Sequence, residues 1–251
     1  MITCETWGLS QYAALLAALE GLGYKAVDYA SAMPDERHLI LRHDLDFSLE
    51  YGALLGECER AAGVKSCYFV LLDTDNYNSF SSDSKRHLRA LTGLGHQIGL
   101  HFDPKPHMEK SAPLESVISA QCRLLEDCAE APVTVFSWHR PPKNFIGTEK
   151  EIGGCLNAYA KYFTQDIGYC SDSAGAWRYG HPLQHASIRA GRALQLLTHP
   201  IWWVGREGNA FERIRTLLEK RQDYLQMHVA DNSKPYREGL REMMKPLLSE
   251  S

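Results

Sequence analysis

Four short polar stretches of this chain carry residue types that can hold a cation and move protons: His43-Asp44-Leu45-Asp46, His101-Phe102-Asp103, Trp138-His139-Arg140-Pro141-Pro142 and Thr198-His199-Pro200. Alternate residues of an extended chain share a face, so Asp44 and Asp46 should point the same way, away from His43 and Leu45. Two carboxylates that close share a proton or take a cation between them. One could ligate a divalent metal while the other serves as a general base; the competing reading is a solvated turn entering the helix after Ser48. His101 could equally be a core imidazole bonded to backbone. His107 lacks the i, i+4 spacing that places two imidazoles on one helix face, and Pro104 and Pro106 forbid a regular helix there. It reaches the same cation only if a loop folds it back. Arg140 offers a planar fork to a carboxylate and could hold a catalytic aspartate, with His139 beside it. His199 ends an apolar run, where an imidazole suits the protonation of an amine leaving group.

The elements that must position these groups alternate. Residues 10–21 read as a helix with Ser10 as N-cap and Tyr12, Leu15, Leu16 and Leu19 on its inner face. His38–Asp46 begins apolar and ends charged, as a buried parallel strand does when it delivers its C-terminal end to a site. Helices are expected over 48–62, 82–94 and 112–129, and strands over 65–72, 97–101, 133–138 and 194–198. The last helix spans 210–228, with Phe211, Ile214, Leu217, Leu218 and Leu225 inward. Strand–helix alternation of this kind predicts a parallel α/β fold. With fewer than eight clear βα units, a distorted or incomplete (β/α) barrel fits better than a closed eightfold one. No repeat or linker splits residues 1–251, so a single domain is expected. The polar stretches then collect at the C-terminal ends of the strands, where such folds keep their chemistry.

Composition narrows the partners. The 251 residues carry a net charge of −4, with 44% hydrophobic and 23% charged residues, which makes no electrostatic case for nucleic acid. No apolar run approaches the ~20 residues of an integral membrane segment. The N-terminus, which begins with Met1, shows no secretory signal. The seven cysteines are odd in number and show no Cys-x-x-Cys pair. Reduced thiols in a cytoplasmic protein are therefore expected, all structural or incidental. The polar, aromatic-spotted loop 73–83 could shape access to a site or be a plain connector. Oligomeric state is not legible.

In their order, HDLD, SCYFVLL, GHQIGLH, HRPP, SDS with Trp177, and LQLLTHP resemble the NodB-homology polysaccharide deacetylases. They are most similar to a divergent WbmS-like subgroup associated with surface polysaccharides. The resemblance runs from about residue 39 to 203. It implies a distorted (β/α) barrel that removes an acyl group, notably acetyl, from an amino sugar or polysaccharide precursor. It also implies a divalent metal, zinc in first place with iron, nickel or cobalt as alternatives. Carried over residue by residue, Asp44 is the base, Arg140 orients it and His199 is the acid. Asp46 and His101 ligate the metal with His107 as third ligand, and His139 and Asp103 are alternatives for that place. His139, Asp172, Trp177 and Tyr68 fall at substrate-binding positions, and Trp138, Trp202 and Trp203 could wall the pocket beside Trp177. A backbone N–H near Tyr68 or Phe69 would face the oxyanion. The chain departs from the family where Leu45 separates the two aspartates and where Lys105 stands in place of the second histidine. The rival readings are a metal-assisted hydrolase or deaminase of a small C–N compound and a saccharide-binding pseudoenzyme.

Overall fold

The computed structural model describes residues 7–108 and 113–248, and the side chains of these up to 243. Cys4 lies outside the described residues. Two compact units emerge, Met1–Gly205 and Arg206–Ser251.

In the first unit the order is α1 (Leu9–Gly21), β1 (Lys25–Ala26), β2 (His38–Leu45), α2 (Leu49–Ala61), β3 (Cys67–Leu71), α3 (Ser82–Gly93), β4 (Gln97–Phe102), α4 (Leu114–Ala129) and β5 (Val135–Trp138). A hairpin of β6 (Glu151–Ile152) and β7 (Cys155–Asn157) follows, then β8 (Gly168–Ser171), a one-turn helix α5 (Ala186–Arg189), β9 (Leu194–Thr198) and a second one-turn helix α6 (Pro200–Trp203). The strands form one curled sheet in the order β6-β7-β5-β4-β3-β2-β9-β8, with β1 against β2. Every pairing is parallel except the β6–β7 hairpin. Among the described residues no ladder joins β8 to β6, so the sheet is an incomplete α/β barrel, as the alternation predicted.

The strands are apolar nearly throughout because both faces are covered, one by helices and one by the barrel interior. One packed cluster joins α2, α3 and α4 to the outer face through Leu45, Leu49, Leu88, Leu91, Ile118, Leu125 and Phe136. A second fills the barrel with Tyr29, Ile40, Phe69, Val135 and Phe163. Gly99 leaves the space that the Phe69 ring fills; a Cβ there would stand 2.6 Å from it.

Local signals account for most boundaries. Ser48 caps α2 by accepting from the Tyr51 N–H at 3.2 Å, and Gly95, at φ +89, turns the chain into β4. The helix of 10–21 is present with its predicted inner face buried. Ser10 is not its cap, however. The helix starts one residue earlier after Gly8, and the Ser10 hydroxyl bonds the neighbouring Gln11 side chain instead.

The second unit holds α7 (Ala210–Asn232) and α8 (Lys234–Leu248). Asn209 and Glu212 form a reciprocal capping box at the start of α7. The helix runs beyond the expected 228. Phe211, Leu218 and Leu225, assigned to an inner face by their spacing, are exposed. Periodicity identifies the apolar stripe of a helix but not whether anything covers it.

Candidate metal centre and its proton-transfer groups

Ladder register sets the level of each site residue. Leu45 lies opposite Val70. The next residue of β3, Leu71, lies opposite His101, which lies opposite Ser137. Asp46, one step past Leu45, therefore stands level with His101 across the barrel mouth, and His139 follows one residue after β5.

Asp46, His101 and His139 each offer one ligand atom, all within 4.8 Å of one another. The His101 Nε2 stands 3.2 Å from Asp46 Oδ1 and 3.1 Å from His139 Nδ1. His139 Nδ1 is 3.5 Å from the same carboxylate oxygen. That oxygen is buried and accepts no well-formed hydrogen bond. An orphaned carboxylate oxygen facing two imidazole nitrogens fits a divalent cation of zinc's type, whose catalytic sites use three protein ligands and keep a position open. The His101 Nδ1 lies 2.7 Å from the Ser137 hydroxyl, which fixes the ring so that Nε2 faces the mouth.

Asp44 sits one layer deeper. Its Oδ2 is 3.4 Å from His101 Nε2, and both its oxygens accept from Arg42, Oδ1 from Nε and Oδ2 from the Nη2 group, at 2.9 Å each. Arg42 is wholly buried in the barrel, its guanidinium 4.5 Å from the Tyr159 ring centre and 5.1 Å from that of Phe69. Burial alone would raise the Asp44 pKa, but Arg42 and then His101 bring it below the ordinary carboxylate range. Asp46 behaves likewise, burial being outweighed by His101 and His139.

On the other side stands His199. Its Nε2 is 3.9 Å from Asp46 Oδ2 and its Nδ1 is 2.6 Å from Asp172 Oδ1. Asp172, fully buried, also accepts from the His199 backbone N–H and from Trp203 Nε1 at 2.8 Å. Burial works against the imidazolium, but Asp172, Asp46 and Asp44 overcome it and push the His199 pKa up to about 9.

Several expected placements change. His107 is not in the cluster; its Nε2 bonds Asp73 at 2.8 Å and its ring stacks on Phe102, because the Pro104–Pro106 turn carries it outward. Arg140 does not reach Asp44: it is largely exposed, at φ +47, and pairs with Asp103 at 3.2 Å. Arg42, two residues from Asp44 on the same strand face, takes that place. Asp172 faces His199 rather than open space. The Tyr68 side chain points outward from the barrel and donates to the buried Glu59 at 2.6 Å. Trp138, Trp202 and Trp203 are buried, whereas Trp177 is half-buried and packs near Trp203. A cavity of about 580 Å³ opens among Ile40, Lys65, Cys67 and Gln97 at the N-terminal ends of the strands, away from these groups.

No protein-family model matches the chain, and no curated protein matches it. Solved structures with a similar fold include a CE4-family pseudoenzyme from Bacillus anthracis, at 15% identity and a TM-score of 0.42, covering 76% of this chain. This chain spans 63% of that protein's length. A family 4 carbohydrate esterase from Bacillus anthracis aligns at 15% identity and a TM-score of 0.44, covering 83% of this chain and 86% of that one. A Streptococcus pyogenes deacetylase in complex with acetate aligns at 10% identity and a TM-score of 0.45, covering 76% and 81%. Likeness this distant assigns neither a residue nor an activity.

Proposed function

We propose that the chain is a metal-dependent amide hydrolase that removes an acyl group, in the first instance acetyl, from an amino sugar or saccharide precursor. The observation that carries this is the placement of two proton-transfer groups, Asp44 and His199, on either side of the Asp46–His101–His139 triad. A bound zinc, or iron, nickel or cobalt in its place, would polarise the amide carbonyl and acidify a water. Asp44 Oδ2, turned toward His101 and held by Arg42, accepts the proton of the attacking water. His199 is oriented by Asp172 through Nδ1 and presents Nε2 to the mouth. It enters the reaction protonated and gives that proton to the departing amine. Asp46 and His101 carry out their part through ligation, with Ser137 keeping the His101 ring in place.

In this reading the expected single domain over residues 1–251 keeps its chemistry within Met1–Gly205, where every residue named above lies. Among the described residues no helix is long and apolar enough to cross a membrane, and the described cysteines are all free thiols. The pseudoenzyme reading rests on Lys105 at the second-histidine position; His139, just past β5, brings an imidazole nitrogen to the same cluster.

The test is metal analysis of the purified protein together with an assay of acetate release over a panel of N-acetylated amino sugars and cyclic amides. Near-stoichiometric metal and turnover of an acetamido sugar are expected. Turnover of cyclic amides alone would transfer the reading to the small-molecule class. A metal-free protein, inert after loading with zinc, iron, nickel or cobalt, would remove the hydrolase reading altogether.

A further inference from the structure

Away from the mouth, Cys122 on α4 and Cys155 on β7 meet in the outer-face core. Their sulfurs are 3.2 Å apart, and the two residues are separated by 33 positions in sequence. The approach is enforced by packing. The β6–β7 turn passes so close to the start of α4 that a Cβ at Gly153, at φ +60, would stand 2.6 Å from the Glu115 carbonyl oxygen. Both side chains are members of the same hydrophobic cluster and are 4% exposed. A disulfide needs an S–S distance near ~2.05 Å, so the sulfurs have only about 1.1 Å to travel.

We infer that Cys122 and Cys155 are a modification site: a dithiol that hydrogen peroxide converts into an intramolecular disulfide, tying the β6–β7 hairpin to α4. The chain between them includes β5 and His139, so the bond would close a loop around one side of the mouth. Access comes from the hairpin itself, whose strands of two and three residues at a sheet edge are the kind of element that opens locally. In this contact the Cys155 thiol donates to the Cys122 sulfur. One of the two, as its thiolate, attacks the peroxide O–O bond and becomes a sulfenic acid, and the hydroxide released takes up a proton as water. The other sulfur then attacks the sulfenic sulfur, a second water leaves, and the S–S bond forms. Two thiols give up two protons and two electrons, and one peroxide is reduced to two waters.

The test treats the full-length reduced protein with hydrogen peroxide, blocks the remaining thiols, and maps linked peptides by mass spectrometry without reductant. The expected result is a mass loss of about 2 Da, two fewer titratable thiols, and a linked peptide pair containing Cys122 and Cys155. Dithiothreitol should reverse it. Cys122→Ser should abolish the link, and the wild-type peptide map decides the matter should that variant fold poorly. Persistence of both thiols, a link joining other cysteines, or irreversible oxidation of Cys122 or Cys155 without a link would each overturn the inference.

Discussion

At the scale of single residues, the site depends on which polar atoms the barrel leaves unsatisfied. His139→Ala removes one of the nitrogens facing Asp46 Oδ1, and under the proposed reading bound metal should fall by at least ~10-fold. Equilibrium dialysis against zinc checks this; His107→Ala, whose ring is tied to Asp73, should leave affinity unchanged. Arg42→Met leaves the buried Asp44 without its counter-charge, a change that costs about 3–5 kcal/mol and is read from the urea midpoint. His199 gives a pH signature in the metal-free protein. Its folded pKa of about 9 lies above the unfolded value near 6.5. Its contribution is therefore full below about pH 6.5 and is lost as pH rises through about 9. The stability difference between wild type and His199→Gln should be largest, on the order of 3 kcal/mol, near pH 6 and shrink toward pH 9.5. A difference that grows with pH would contradict the Asp172 pairing.

At the scale of elements, the strands and the polar residues at their ends could be read from the sequence, because fully buried parallel strands announce themselves as apolar runs closed by charge. Asp44, Asp46, His101 and His199 stand at strand ends legible in this way. What could not be read was which side chains meet across strands. The sequence puts His107 ahead of His139 and Asp103 with little between them, and it is the β4–β5 register, with His101 opposite Ser137, that brings His139 beside Asp46. Arg42 is not among the residues the sequence reading picks out, since a fully buried arginine violates the usual expectation; its partner two residues on is the available signal. Glu59 was missed altogether. It lies within α2 and accepts from Tyr12, Ser66 and Tyr68 while also facing His43 at 2.8 Å. That places His43, back to back with Asp44 on β2, in a buried network that pins α1 and α2 to the strand. Glu59→Ala leaves those hydroxyls without their acceptor, and a loss of several kcal/mol is expected, seen as a lowered thermal midpoint with the metal ligands untouched.

At the scale of the whole molecule, the division at Gly205 gives a sharper expectation than the sequence could. The spacing of 210–228 predicts an apolar inner face, and Phe211, Leu218 and Leu225 are exposed, while the first unit has its own core and every residue of the proposed site. A chain ending at Gly205 should therefore fold cooperatively and keep its zinc affinity within about 3-fold, since an interaction that contributes nothing at the site shifts binding by less than ~0.7 kcal/mol. Circular dichroism melting and the dialysis used for His139→Ala provide the comparison. Loss of cooperative melting in the shortened chain would show that Arg206–Ser251 completes the fold. Retained melting with lost metal binding would place a ligand or its support in that unit.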